Sequence, residues 1–190
     1  MSDTLESDES LIGRYVRGDC AAFDMLYRRH EMRIWRYLER NVGNRATADE
    51  LMQEVWFAVA RDAPRFEPRA RFTTWLFTVA RNRMIDAQRA RRPHLSLETL
   101  GYESGVVLQQ LSTEPSVGPL AAALVRDQAG ALATALAQLP QEQREAFLLQ
   151  IEGDLSVEEV AAITHSSFET TKSRLRYARA KLRELLSEYA

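Results

Sequence analysis

Hydrophobic residues recur every three or four positions along most of the chain, which is the spacing of one face of an α-helix. In residues 22–42, for example, Leu26, Ile34 and Leu38 share a face, and Gly43 supplies a C-terminal stop. The pattern predicts helices over residues 11–16, 22–42, 47–62, 72–92, 120–138, 140–153, 156–164 and from 166 onward. The apolar run at 106–108 is too brief to predict a strand, so we expect an all-α protein.

Three capping boxes place helix starts more sharply than periodicity does. Thr47–Glu50, Ser156–Glu159 and Ser166–Glu169 each begin with a hydroxyl side chain and end with a glutamate three positions later. The hydroxyl accepts a free backbone N–H of the first turn, while the glutamate reaches back to the N–H of the cap residue. We therefore expect helices to begin at these three positions.

Residues 93–121 divide the chain into two parts. This segment contains proline and glycine among Ser, Thr and Glu, and it lacks sustained helical periodicity, which is typical of a flexible linker. The sequence thus predicts an acidic N-terminal tail at 1–10, a helical domain at 11–92, a linker at 93–121 and a second helical domain at 122–188.

The charged residues are segregated, although the net charge is only -2. Residues 61–92 hold nine arginines against three acids, and residues 166–183 hold six basic residues against Glu169 alone. The linker between them has three acids and no lysine or arginine. Either basic segment alone is consistent with an ordinary solvated helix face. Two such segments, each at the end of a predicted domain, favour binding to a polyanion.

The last two predicted helices form a helix-turn-helix pattern, in which a short helix and a tight turn precede a longer basic helix. An ordinary helical hairpin has a similar pattern. Periodicity in the last helix predicts one face toward the domain core, made of Phe168, Thr171, Leu175, Ala178 and Leu182. The opposite face could meet DNA base edges through Glu169, Thr170, Ser173, Arg176 and Tyr177, with phosphates contacted from its flanks by Lys172, Arg174 and Arg179.

Composition argues against several other classes of protein. The longest apolar run, 120–125, is far below the roughly 20 residues of a membrane-spanning helix. The first residues carry acids where a signal peptide has Lys or Arg, so we expect a cytoplasmic protein without membrane insertion. A lone cysteine, Cys20, cannot form an internal disulfide, and three scattered histidines lack metal-ligand spacing. Because no phosphate-binding loop, nucleophile elbow or His–carboxylate group is found, we expect no enzymatic activity, cofactor, metal or small-molecule substrate.

Four motifs follow one another along the chain: Ala48–Trp56, Phe72–Asn82, Leu139–Phe147 and Lys172–Leu182. In this order and spacing they resemble the sigma factors of bacterial RNA polymerase, in the compact extracytoplasmic-function (ECF) group of the sigma-70 family. The resemblance implies two helical domains, sigma regions 2 and 4. It also implies a transcription initiation factor that binds core RNA polymerase and recognises promoter DNA.

The resemblance assigns a surface to each task. Docking on core polymerase is implied for Asp49, Glu50, Gln53, Glu54 and Trp56. Capture of the melted minus-10 strand is implied for Arg65, Phe66, Arg69, Arg71, Phe72, Trp75, Arg81, Asn82, Arg89, Arg91 and Arg92. Aromatic side chains beside arginines suit this task because they can stack on splayed bases next to a cationic groove. For Trp75 core burial is an equal alternative, since it shares helical spacing with its apolar neighbours. The outer face of the last helix would recognise the minus-35 duplex.

Family resemblance also implies an anti-sigma factor as a further partner. His165 stands in the helix-turn-helix turn, where many members have glycine, and a residue with a side chain can enter the left-handed conformation at modest cost. Two alternatives remain at this stage. One is a conventional helix-turn-helix repressor or activator, which would bind duplex DNA by itself as a symmetric dimer. The other is RNA binding by the arginine-rich helices.

Overall fold

The computed structural model describes residues 6–91 and 119–187. Within these ranges the chain forms eight α-helices, one short 3-10 helix and no strand, which confirms the all-α prediction. The helices are α1 (Asp8–Val16), α2 (Cys20–Val42), α3 (Arg45–Asp62), the 3-10 helix (Ala63–Arg65), α4 (Phe72–Arg91), α5 (Pro119–Ala137), α6 (Gln141–Gly153), α7 (Val157–Thr164) and α8 (Phe168–Leu185).

Two segments differ from the predicted boundaries. Residues 8–10 of the predicted acidic tail belong to α1, and Glu9 accepts a hydrogen bond from the backbone N–H of Phe72 at 2.9 Å. The first helix therefore takes part in the fold and supports the start of α4. Residues 92–118, which include most of the predicted linker, lie outside the described residues, and α5 begins at Pro119, within the last three positions of that linker.

Two of the predicted helix-end signals are confirmed. Ser156 Oγ accepts from the backbone N–H of Glu159 at 3.2 Å, and the Glu159 carboxylate accepts from the backbone N–H of Ser156 at 2.8 Å, so this capping box is complete. Gly43 ends α2 in the left-handed conformation, with φ 67°, a backbone geometry that glycine adopts without steric cost.

The other two predicted capping boxes were wrong. Helix α3 begins before Thr47, because the Asn44 side chain caps it by accepting from the backbone N–H of Thr47 at 2.9 Å. Thr47 is consequently buried inside the first turn. The N-cap of α8 is Ser167 and not Ser166. In both cases a nearby side chain accepts the capping hydrogen bond instead, so the capping-box pattern alone does not fix the first residue of the helix.

Each half of the molecule buries the apolar faces of its helices. In the N-terminal half, Leu26, Ile34 and Leu38 of α2 are fully buried, and α1, α3 and α4 pack against this helix. In the C-terminal half, α6, α7 and α8 pack around Leu149 and Leu175. Because α6 also packs against α2 and α4, the two cores join into one apolar cluster.

A buried ionic cluster ties α1 to α2. Asp8 Oδ2 lies 2.6 Å from His30 Nε2, and Arg29 donates to Asp8 Oδ1 at 2.9 Å and to the Glu6 carbonyl at 2.6 Å. Burial raises the pKa of Asp8, but hydrogen bonds and charge from His30 and Arg29 outweigh burial and hold this pKa below its ordinary value of 3.8. His30 is 3% exposed, so its hydrogen bond to Asp8 is largely shielded from water.

Replacing Asp8 should therefore destabilise the fold. We expect Asp8→Asn to lower the free energy of unfolding by about 1–3 kcal/mol at pH 7, because it weakens a buried, charge-assisted hydrogen bond. Since the Asp8 pKa is lower in the folded than in the unfolded chain, its contribution is complete above pH 3.8 and is lost as the pH falls through the folded value. Urea denaturation followed by circular dichroism measures both effects. Asp24→Asn, the same substitution at an exposed position of α2, should leave stability within about 0.5 kcal/mol.

Candidate functional site

The helix-turn-helix is formed by α7, a three-residue turn and α8. His165 ends α7 in the left-handed conformation, with φ 53° and ψ 40°, as expected for a turn that keeps its geometry without glycine. The Ser166 hydroxyl lies 2.7 Å from Thr171 Oγ1 and thereby ties the turn to the first turn of α8. The angle between the two helices is thus fixed by hydrogen bonds as well as by apolar packing.

The inner face of α8 agrees with its predicted periodicity except at the first residue. Thr171, Leu175, Ala178 and Leu182 are buried, as predicted. The inward placement of Phe168 was wrong, since its side chain is 41% exposed at the first position of the helix and its ring lies 5.9 Å from Lys172 Nζ. Helical spacing gives the direction of a residue but does not say how far the neighbouring helices extend over it.

Most predicted minus-35 residues lie on the outer face of α8. The exposed residues are Glu169, Thr170, Lys172, Arg176, Tyr177 and Arg179, and the half-buried ones are Ser173 and Arg174. The Arg176 guanidinium stacks 5.0 Å from the Tyr177 ring, so these two side chains form one flat, exposed unit. Arg174 and Arg179, on the flanks, donate to Glu142 and Gln150 of α6.

An aromatic cluster forms where the loop at 66–71 meets α4. The rings of Phe66 and Trp75 are 5.3 Å apart, and Phe72 lies 6.0 Å from Phe66 and 5.8 Å from Trp75. Phe72 is fully buried and also packs against His30. It therefore supports the cluster from beneath, and its ring has no exposed surface for the predicted contact with DNA. Phe66 and Trp75 are half-buried, so part of each ring surface remains accessible.

The predicted minus-10 arginines and Asn82 differ in exposure and in their partners. Arg65, Arg69, Asn82 and Arg89 are exposed polar or charged residues, and the Arg65 side chain retains 87% of its surface. Arg71 and Arg81 instead pair with glutamates of the C-terminal half, as described below. The side chains of the two remaining residues, Arg91 and Arg92, lie outside the described residues.

The outer surface of α3 carries the predicted docking residues. Asp49, Glu50, Gln53 and Glu54 are all exposed along this surface. Asp49 Oδ1 accepts from the indole N–H of Trp35, at 2.7 Å, which holds one carboxylate in a fixed orientation.

Trp56 does not belong to that surface. Its side chain is 6% exposed and packs against Phe23 and Tyr27, with ring centroids 5.6 and 5.0 Å apart. The signal was present in the sequence, because Trp56 stands four positions after buried Met52. Phe57, the next residue, was missed and is 74% exposed. It follows Gln53 by four positions and therefore extends the docking surface by one apolar side chain.

The two halves meet through ion pairs that sequence analysis did not predict. Glu152 of α6 accepts from Arg36 Nε at 2.9 Å and from Arg40 at 2.6 Å, while its backbone carbonyl accepts from Arg33 Nε at 2.6 Å. The three arginines share one face of α2 because they are spaced by three and four positions. That spacing was a readable sign of a cationic helix face, but nothing in it identifies the partner.

Glu159 of α7 makes a second connection to the N-terminal half. Its carboxylate accepts from Thr74 Oγ1 at 2.6 Å and from Arg71 at 2.9 Å. Burial raises the pKa of Glu159, but the hydrogen bonds from Thr74 and Ser156 and the charge of Arg71 outweigh burial and hold this pKa below its ordinary value. A third pair joins Glu145 of α6 to Arg81 Nε at 2.9 Å.

Two further features bear on the class of protein. In the described parts of the chain, no helix is long and apolar enough to cross a membrane. The same residues contain no group of three or more His, Cys, Asp or Glu side chains that could hold a metal ion.

Comparison with known proteins gives the same two regions. Residues 26–94 match the family model for sigma-70 region 2, and residues 129–182 match the model for sigma-70 region 4. The RNA polymerase sigma factor CarQ of Myxococcus xanthus is 35% identical over 92% of this chain and 95% of its own length. The ECF RNA polymerase sigma factor RpoE of Cereibacter sphaeroides is 33% identical over 89% and 88%, respectively.

A solved structure has the same fold. It is the sigma factor RpoE of Bartonella quintana in complex with the anti-sigma factor NepR, with a TM-score of 0.66 and 25% identity over 87% of this chain and 96% of that one. Together with the matched regions and the helix-turn-helix geometry, these relationships show that the chain belongs to the sigma-70 family of RNA polymerase sigma factors, in its ECF group.

Proposed function

We propose that this sigma factor uses three separate surfaces to bring core RNA polymerase to promoters: α3 for the polymerase, the loop at 66–71 with α4 for the melted minus-10 strand, and α8 for the minus-35 duplex. The observation that carries the proposal is the helix-turn-helix, in which α8 buries one face and leaves the opposite, cationic face open. A helix of this kind fits the major groove, with its first residues toward the base edges.

The minus-35 assignment rests on the distribution of side chains on α8. Glu169, Thr170 and Arg176 are exposed and can approach base edges, where each good bidentate contact is worth about 1–3 kcal/mol of discrimination. Arg174 and Arg179 lie at the flanks and suit phosphates. Their present acceptors on α6 would be exchanged for phosphate oxygens when DNA binds.

The minus-10 assignment rests on aromatic rings beside exposed cations. Phe66 and Trp75 retain accessible ring surface, and Arg65 and Arg69 are exposed next to them. Stacking of a base on an aromatic side chain contributes about 1–3 kcal/mol, and cations along the backbone add a salt-dependent term. Phe72 holds this pair of rings in place from the core.

The docking assignment rests on the open face of α3. Four polar residues and Phe57 form a continuous exposed surface with an apolar side chain at one end. Interfaces often combine an aromatic anchor with charged residues that set orientation. The acids Glu50 and Glu54 suit a basic surface on the polymerase.

Its partners and location follow from the same function. The Bartonella quintana relative was solved with an anti-sigma factor, and we propose that this chain is also held by an anti-sigma factor that covers its working surfaces. As a non-enzymatic initiation factor it requires no cofactor and no small-molecule substrate. It acts in the cytoplasm, where RNA polymerase and the chromosome are.

The docking surface can be tested by reversing one charge. We expect Glu54→Arg to weaken binding to core polymerase by about tenfold, equivalent to about 1.4 kcal/mol, and to abolish transcripts that need this protein. Fluorescence anisotropy of protein labelled at Cys20, titrated with core polymerase, measures the affinity. Asp24→Arg makes the same charge change at an exposed position of α2 and should have no effect on the affinity. Equal affinity of Glu54→Arg and the unchanged protein would contradict docking through α3.

The minus-35 surface can be tested with two arginines of α8. We expect Arg176→Ala to reduce promoter occupancy by the holoenzyme about tenfold or more, because a base-edge contact is lost. Arg183→Ala, in the last turn of the same helix, should change occupancy less than twofold. In vitro transcription from a random promoter library, followed by sequencing of the active promoters, measures both effects. Relaxed sequence preference for Arg183→Ala but not Arg176→Ala would contradict the assigned face.

A further inference from the structure

We propose that Glu145, Glu152 and Glu159 form an acidic face on the C-terminal half that binds the arginines of the N-terminal half in place of DNA. In this arrangement sigma region 4 and the melted minus-10 strand compete for the same cations. The inference rests on the minus-10 assignment made above. It adds a second ligand for that surface, supplied by the chain itself.

The pairing at Glu159 involves a residue assigned to the minus-10 strand. Arg71 donates from one nitrogen to both oxygens of Glu159, at 2.9 and 3.1 Å, and Thr74 donates to the same carboxylate at 2.6 Å. These donors come from the residue just before α4 and from its first turn, beside the aromatic cluster. A carboxylate held by an arginine and a hydroxyl resembles a phosphate group in charge and in acceptor geometry.

The ion pair between Glu145 and Arg81 is more deeply buried than the pair between Glu159 and Arg71. Arg81 lies further along α4. With the two halves in contact, only 13% of its side-chain surface is exposed. A DNA phosphate cannot reach this guanidinium while α6 covers it. Arg81 can therefore contact DNA only after the two halves separate.

Glu152 binds more arginines than either of the other two glutamates. Its side chain is 5% exposed and is shared between Arg36 and Arg40, while Arg33 binds the carbonyl of the same residue. Separation of the halves would take the Glu152 carboxylate away from Arg36 and Arg40 and leave their charges less well compensated. Such cations favour a polyanion as the replacement.

The charges of the ion pairs between the two halves support competition with DNA. Among the described residues, every ion pair between the halves joins an arginine of the N-terminal half to a glutamate of the C-terminal half. The ion pairs therefore have a cationic and an anionic side, as in a protein–DNA interface, while Arg144 of α6 donates across the same contact to the Asn41 carbonyl. Arg65 and Arg69 are exposed and provide a first contact for DNA before displacement.

The test removes two of the carboxylates with little change in shape. In Glu145→Gln/Glu159→Gln, Arg71 and Arg81 keep their charge but lose the negative charge of their partners, so the halves should separate more often and the arginines should become available. We expect the affinity for a fluorescent 12-nucleotide single-stranded DNA of random sequence to rise about tenfold. The matched control is Glu158→Gln/Glu184→Gln, which changes the net charge equally at exposed positions of the same half and should leave the affinity within twofold.

A second readout reports the arrangement itself. Spin labels at Cys20 and at Ala180→Cys allow double electron–electron resonance to measure the distance between the halves without DNA. We expect a longer distance in the double variant than in the unchanged protein or the control. If the double variant proves too unstable to measure, Glu159→Gln alone, at the exposed edge of the contact, should give a smaller change in the same direction.

The outcomes separate the inference from the function on which it rests. An unchanged distance, or a longer distance with unchanged DNA affinity, would overturn the competition. If Arg65→Ala/Arg69→Ala then still lowers DNA affinity, the minus-10 surface is correctly assigned and only the competition fails. If that variant binds DNA as well as the unchanged protein, the minus-10 assignment itself fails and the competition fails with it.

Discussion

The long helix α2 is the element on which both halves of this molecule depend. With no strand among its described residues, the fold must bury helix faces against one another, and α2 offers two usable faces over 23 residues. Its apolar face, with Leu26, Ile34 and Leu38, holds α1, α3 and α4. Its arginine face holds α6 through Glu152. A single helix thus connects a nonspecific apolar contact with a specific ionic one.

These two contacts differ in what can replace them. The apolar face of α2 is buried because water is a poor solvent for it, and no soluble partner competes for it in the folded state. The arginine face can exchange one set of anions for another, since a guanidinium binds a carboxylate or a phosphate in similar geometry. The N-terminal half can therefore keep its own core while its association with the C-terminal half changes.

The working surfaces follow from how each helix is covered. On α8 the inner face is fixed by packing against α6 and α7, which leaves Arg176 and Tyr177 pointing outward as a stacked pair. On α3 the same logic buries Trp56 and exposes Phe57. On α4, Phe72 lies beneath Phe66 and Trp75 and presents them to the surface. At the start of α4, a core aromatic residue therefore positions two rings that remain accessible.

Sequence alone determined the helices, the confirmed cap at Ser156, the left-handed turn at His165 and the inner face of α8 from Thr171 onward. These features depend on residues within about one helical turn, so local spacing and side-chain type are sufficient. Only the tertiary structure placed Phe72 in the core, left Phe168 exposed and paired Arg71 and Arg81 with glutamates. Those outcomes depend on which distant helix covers a face and where it ends. Periodicity along one helix contains no information about either.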